Sequence, residues 1–238
     1  MKTLEGINIS KSFKNRVVVD SISMKVNQGE IIGLLGPNGA GKTTIFLMML
    51  GIHSPDKGKI YLNGNDITKL PVYIRARRGI SFLPQEPSIF KGLSVLENIL
   101  AVMDMYSDIK SININEILSE MGLYEVKGRK AYLLSGGERR RLEIARSLIL
   151  SPDFLLLDEP FAGIDPIQIK ELHMIIKSFK EKGLGVIITD HNVREILKIT
   201  DRSYIINKGE IIFQGDSEKL ISDKRVKEEY LGKEFRWN

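Results

Sequence analysis

Residues Gly36-Pro37-Asn38-Gly39-Ala40-Gly41-Lys42-Thr43 read as glycine, four residues, then Gly-Lys-Thr, and this octet limits the fold more than any other part of the chain. Its glycines allow successive backbone N–H groups to point at one anion, which works only between a strand that fixes the loop's start and a helix N-terminus carrying about half a positive charge. Both neighbours are legible. Glu30-Ile31-Ile32-Gly33-Leu34-Leu35 is a continuous apolar run suited to a strand buried on both faces, and Thr43 to Leu50 reads as a helix stopped by Gly51. Lys42 brings a full cation toward the β/γ-phosphates of a nucleotide, the Thr43 hydroxyl can ligate Mg²⁺, and Thr44 belongs to the same phosphate-binding set.

Such a loop needs acidic partners at the end of a buried strand, where ligands of open parallel sheets bind. Phe154-Leu155-Leu156-Leu157-Asp158-Glu159 supplies them. Asp158 is placed to hold the metal through water, and Glu159 to act as general base on the attacking water. A third feature, Leu134-Ser135-Gly136-Gly137-Glu138, precedes the helical run Arg139 to Leu150. Local physics reads it as either a capped helix start or a second anion site.

Around these motifs the chain alternates in type. The first thirty residues alternate apolar and polar as in an antiparallel layer, and Asn63-Gly64 marks a hairpin turn between Lys59–Leu62 and Asp66-Ile67. From about Phe90 to Leu150 the pattern is helical, notably over Ser94 to Met105 and Asn115 to Met121. Strands at Phe154–Leu157 and Val186–Thr189 then alternate with helices at Pro166–Lys182 and Val193–Ile199, which implies a mainly parallel sheet. Tyr204 to Gln214, turning at Lys208-Gly209, predicts a final hairpin and Glu218 to Asn238 a helical tail. The expected fold class is α/β: a P-loop NTPase core with an antiparallel β layer and an inserted α-helical subdomain. One domain spans 1–238, with 1–89 and 151–217 as core, 90–150 as helical subdomain and 218–238 as tail.

Composition removes other classes. With no cysteine, the chain has no disulfide, thiolate metal site or cysteine nucleophile. Its 42% apolar and 27% charged residues suit a globular protein, and Ile45 to Ile52, among its longest apolar stretches, falls far short of the roughly 18 residues that suggest a span. No secretory signal is visible in Met1 to Ser10, so a cytoplasmic chain without direct membrane insertion is expected. A net charge of +5 is too small to argue for nucleic acid, and none is expected as a partner. Arg139 and Glu143, four apart, predict a pair on a solvated helix face.

The phosphate loop, Leu-Ser-Gly-Gly-Glu and Leu-Leu-Leu-Asp-Glu-Pro, in this order, resemble the nucleotide-binding subunits of ATP-binding-cassette (ABC) transporters over essentially the whole chain. That resemblance implies ATP and Mg²⁺ as cofactors. It implies an aromatic ring at Phe13 stacking on adenine, though most of the family has Tyr there. Gln85 in Phe82-Leu83-Pro84-Gln85 matches the glutamine loop that reaches magnesium or water, and His191 matches a histidine that contacts the γ-phosphate. Asp165 in Ala162-Gly163-Ile164-Asp165 matches a loop that communicates across a dimer. Ser135, Gly136, Gly137 and Glu138 would close over the nucleotide of a second copy, so the resemblance implies a homodimer. His53 and His173 match nothing and receive no role.

Within the family, Glu138 with Arg139-Arg140-Arg141, Pro84-Gln85-Glu86-Pro87-Ser88-Ile89-Phe90, Thr189-Asp190-His191-Asn192-Val193-Arg194-Glu195 and the ending Tyr230-Leu231-Gly232 are similar to the ATPases of lipopolysaccharide export systems. This implies a peripheral subunit on the cytoplasmic face of the inner membrane, with two integral membrane subunits docking near Gln85 and Phe90. Phe90 reads equally as a partner anchor or as core. The ATPase of a branched-chain amino-acid importer is the alternative, ahead of a non-transport ABC ATPase or a regulatory module without turnover. Trp237 in the tail is a candidate reporter of dimer formation.

Overall fold

The structure is a computed structural model that describes residues 1–106, 112–232 and 235. Trp237 and Asn238 lie outside the described residues. The alternating N-terminal stretch forms β1 (Thr3–Phe13) and β2 (Arg16–Asn27), paired antiparallel from Thr3 opposite Asn27 to Phe13 opposite Arg16. β3 (Ile31–Leu35) is buried at every position, and α1 (Lys42–Leu50) ends on Gly51 in the left-handed conformation, the stop signal that glycine provides. β4 (Lys57–Leu62) and β5 (Asn65–Asp66) turn at Asn63 and Gly64, with φ of 53° and 76°. Next come α2 (Val72–Arg77) and β6 (Ile80–Leu83), neither of which has a strong sequence signal.

The helical stretch holds α3 (Val95–Met103), α4 (Ile114–Glu120) and α5 (Gly136–Leu148). Ser94 caps α3 through a reciprocal box with Glu97. Alternation then resumes with β7 (Phe154–Asp158), α6 (Pro166–Glu181), β8 (Gly185–Thr189) and α7 (Val193–Leu197). The hairpin β9 (Arg202–Asn207) and β10 (Glu210–Gly215) follows. The tail is broken rather than one helix: α8 (Ser217–Ser222), α9 (Lys224–Val226) and a π turn at Lys227–Leu231, with Asp223 capping α9.

Two sheets result. One runs β2-β1-β4-β5 and is antiparallel; the other runs β10-β9-β3-β8-β7-β6, parallel except at β10. The continuous apolar runs are explained by this second sheet. Ile31 and Leu35 of β3 face the helices, whereas Ile32 and Leu34 face α1 and the antiparallel layer, since successive side chains point to opposite faces. Among the described residues no helix is long and apolar enough to cross a membrane.

One buried cation anchors α1 from behind. Arg75 of α2 is 1% exposed, and its guanidinium donates to the carbonyls of Met48 (2.9 Å) and Met49 (2.8 Å) in the last turn of α1 and to those of Thr68 (2.8 Å) and Leu70 (2.9 Å). Helix ends leave such carbonyls without intrahelical partners. Burial lowers the Arg75 pKa to about 10, which leaves it charged near neutrality.

Candidate active site

The loop between β3 and α1 is shaped by its glycines. Gly36 has φ 150°, and a Cβ there would fall 2.0 Å from the Ile206 carbonyl oxygen, so no other residue fits. Lys42 is 7% exposed and folds over the loop, donating from Nζ to the carbonyls of Gly36 (2.7 Å) and Pro37 (3.0 Å). Burial lowers its pKa, opposed by the nearby Glu159 and Asp158 carboxylates. Asn38, Gly39, Gly41, Thr43 and Thr44 line one cleft with Lys42, while Pro37 and Ala40 line an adjoining one beside Arg16 and Lys208.

β7 carries the acidic pair to that cleft. Asp158 lies 3.3 Å from the Thr43 hydroxyl through one carboxylate oxygen, and its other oxygen accepts from Thr189 Oγ1 at 2.6 Å. Glu159 is 8% exposed with φ 49°, and its N–H donates to the Thr189 carbonyl at 2.9 Å. Its carboxylate is held from both sides: Gln85 Nε2 donates to Oε2 at 2.8 Å and His191 Nε2 lies 2.6 Å from Oε1. Burial raises the Glu159 pKa, with His191 opposing and Asp158 and Asp190 adding to the rise. A carboxylate with a raised pKa, flanked by a lysine and a hydroxyl at a glycine loop, can take a proton from water beside a phosphate.

Other predicted residues lie elsewhere. Ser135 caps α5 in a reciprocal box with Glu138, its backbone N–H reaching Oε2 at 2.7 Å and holding that carboxyl below its usual range. Gly137 N–H donates to Gln168 Oε1 at 3.0 Å, and Gln168 sits on α6, whose N-terminus Asp165 caps. Neither Ser135 to Glu138 nor Asp165 lines the cleft of their own chain. Phe13 does not line it either; its ring is 41% exposed and meets His53 edge-on at 5.5 Å, which gives that histidine a neighbour sequence reasoning did not foresee.

The expected Arg139–Glu143 surface pair is not formed. Glu143 is 5% exposed and pairs with Arg140 at 2.9 Å, three residues away. Arg140 lies on the helix stripe shared with Gly137 and Ile144, which faces inward, so a charged residue is buried where the arginine run suggested solvent. Arg141 pairs with Glu171 of α6 at 2.6 Å. A second residue missed beside the site is Tyr230, half-buried in the tail with its hydroxyl near the Gly36 backbone, whose pKa burial raises to about 12. Its place in the tail, far from the loop in sequence, left no local signal.

Comparison with known proteins agrees with this geometry. The ABC transporter family model matches residues 19–162. The chain is 48% identical over 240 residues to the lipopolysaccharide export system ATP-binding protein LptB of Haemophilus influenzae, covering 99% of this chain and 100% of the relative. The same identity and coverage hold for LptB of Escherichia coli K12. Among solved structures, a nucleotide-free ATP-binding cassette from an ABC transporter superposes with TM-score 0.87 at 30% identity, covering 98% of this chain and 100% of the other. A structure of an ABC transporter's ATP-binding cassette in its ADP conformation gives TM-score 0.85 at 29% identity, covering 98% of this chain and 99% of the other. With the glycine loop, the acidic pair at the end of a parallel strand and this likeness along its whole length, the chain belongs to the ABC transporter family, as one of its ATP-hydrolysing, ATP-binding subunits.

Proposed function

We propose that this ATPase powers lipopolysaccharide extraction from the inner membrane toward export, as a homodimer seated on the cytoplasmic face against two integral membrane subunits. The observation that carries the substrate assignment is the 48% identity, end to end, with proteins that carry that export role in their names. In the ATP site, Glu159 is the general base, held by Gln85 and His191, with His191 also facing the γ-phosphate. Residues 36–44 cradle the phosphates and Phe13 supplies a stacking face for adenine. The Ser135 to Glu138 cap and Asp165 serve the nucleotide of the second copy, which accounts for their distance from the cleft of their own chain. We take 1–238 as one ATPase domain, with 90–150 as its helical subdomain and 218–238 as its tail.

The donor set fits Mg²⁺. Thr43 and Asp158 present hard oxygen ligands 3.3 Å apart, and no cluster of three histidine or acidic side chains among the described residues forms a closed protein cage. Mg²⁺ characteristically keeps waters and shares its shell with substrate phosphates. Thr43 and, through water, Asp158 would hold it, with Gln85 within reach of the same region; when bound it neutralises phosphate charge.

For docking, Phe90 is 48% exposed, and the Arg146 guanidinium stands 4.9 Å from its ring. Its backbone is fixed by Asn98, which accepts from the Phe90 N–H at 2.8 Å and donates to its carbonyl at 3.0 Å. This exposure supports the anchor reading over the core reading. Pro84, Ser88, Glu143 and Arg146 line the adjacent groove with Val72 and Val102. Phe90→Ala is expected to lower co-purification with the membrane subunits at least tenfold, an anchor's usual effect of about 1.4 kcal/mol or more, while leaving the thermal midpoint of the isolated chain unchanged. Unchanged complex formation with earlier unfolding would show a core residue instead.

The assignment is tested by extracting the native complex in mild detergent, identifying its membrane subunits and reconstituting it in lipopolysaccharide-containing vesicles. ATP-dependent release of lipopolysaccharide to an added acceptor is expected. Companions that instead take up branched-chain amino acids would replace this reading with the importer.

A further inference from the structure

The turn after β7 is held from a side that the ATP cleft does not reach. The carbonyls of Asp158 (3.0 Å), Glu159 (3.1 Å) and Pro160 (3.2 Å) all accept from the guanidinium of Arg140, which is 7% exposed. The same guanidinium donates to the carbonyl of Pro84 at 3.0 Å, the residue before Gln85, and to Glu143 at 2.9 Å. Guanidinium carries five N–H donors in a rigid fork, and here each has an acceptor. A point charge such as lysine cannot reproduce that spread.

The arrangement also has a direction. Glu143 uses one carboxylate oxygen for Arg140 and the other to accept the Ser88 N–H at 2.9 Å. Glu143 and Ser88 both line the groove beside Phe90, and Arg146, one turn further along α5, donates to the Ser88 carbonyl. A continuous chain of hydrogen bonds therefore runs from the groove through Ser88, Glu143 and Arg140 to the backbone of Glu159.

We propose that Arg140 is a positioning residue for ATP hydrolysis. It fixes the 158–160 turn and the entry to the Gln85 loop together, and Glu143 links its orientation to the groove. A shift of Ser88 then reaches Glu159 through this pair as well as through Gln85. The proposal rests on the role of Glu159 as general base.

The test uses the purified full chain with Arg140→Gln, Arg140→Lys, Glu143→Gln and, alongside, Glu159→Gln, measuring kcat, the KM for ATP and the thermal midpoint of each. Arg140→Gln is expected to lower kcat by about 10–100-fold, the range for a sub-ångström to 1 Å misplacement, with KM changed by no more than about threefold because residues 36–44 are untouched. Arg140→Lys should recover part of that loss, and Glu143→Gln, which keeps an acceptor for Ser88, should lose about threefold to tenfold. A purely structural role would lower kcat only in proportion to the unfolded fraction and would not separate kcat from KM. Where Arg140→Gln does not fold, Arg140→Lys and Glu143→Gln carry the test, and kcat within about twofold of wild type in both overturns the proposal. Lost turnover in Glu159→Gln with normal turnover in the Arg140 variants overturns the positioning role alone. Retained turnover in Glu159→Gln overturns the base assignment and the positioning role with it.

Discussion

Glu159→Gln is expected to lower ATP turnover by roughly 10²–10⁴-fold while leaving ATP binding intact. Glutamine has the same shape and can keep a hydrogen bond to His191, but its amide cannot accept the proton of an attacking water. The phosphate loop and Lys42 do not depend on it. On the two-copy reading the variant should accumulate as an ATP-bound dimer, seen by size-exclusion chromatography with and without nucleotide. Near-normal steady-state ATPase would remove Glu159 from the role.

The raised pKa of Glu159 adds a pH signature to this result. The base must be ionised, so wild-type turnover should fall with acid at a pH above the ordinary carboxylate range. Stability follows the opposite sense. A carboxyl whose folded pKa lies above its unfolded value leaves the folded chain holding the extra proton in between, so stability falls as pH rises through that interval. Ionised Glu159 thus opposes folding near neutrality. Thermal melts should find Glu159→Gln more stable than wild type at pH 7–8, the advantage fading below the unfolded carboxylate pKa.

Arg75→Met should be strongly destabilising although it lies outside the ATP site. Methionine fills part of the volume but leaves the carbonyls of Met49, Thr68 and Leu70 without their buried donor, while that of Met48 keeps only the Gly51 N–H at 3.1 Å. Each unsatisfied buried acceptor costs about 1–3 kcal/mol, and since neighbouring terms do not add fully, a loss of about 3–5 kcal/mol is expected. For a chain of this size that is a fall in thermal midpoint of about 10 °C, readable by calorimetry. Nucleotide affinity should weaken as well, because α1 begins at Lys42 and ends on the carbonyls that Arg75 holds. A midpoint within about 2 °C of wild type would show that water or backbone shifts replace the guanidinium.

The parts legible in the sequence were those whose chemistry is local. The octet from Gly36 to Thr43 needs its neighbours only within a few residues, and Asp158-Glu159 closes a strand that reads as buried from its own composition. Ser135 to Glu138 reads as either a capped helix start or an anion site, and Ser135 does cap α5, in a reciprocal box with Glu138. What stayed hidden depends on tertiary neighbours. Arg140 and Arg75 look like surface residues because burial of arginine is rare and depends on carbonyls that only the folded chain assembles. Tyr230 reaches Gly36 across nearly the whole chain, and β6 is only four residues beside an arginine-rich stretch. The packing of Phe13 on His53 could not be read from a single strand.

Glu159 combines two things a stable fold avoids: a long charged side chain that is buried, and a left-handed backbone at φ 49°. That conformation costs a residue with a Cβ roughly 1–2 kcal/mol, a penalty glycine escapes. The other non-glycine residues with positive φ among those described are exposed, so this strain in the interior falls on the proposed base itself. It follows that selection for robustness and selection for work pull this position in opposite directions. Glycine at this position would relieve the backbone and remove the buried charge together, giving a chain that folds more securely, still grips nucleotide and lacks the carboxylate to use it.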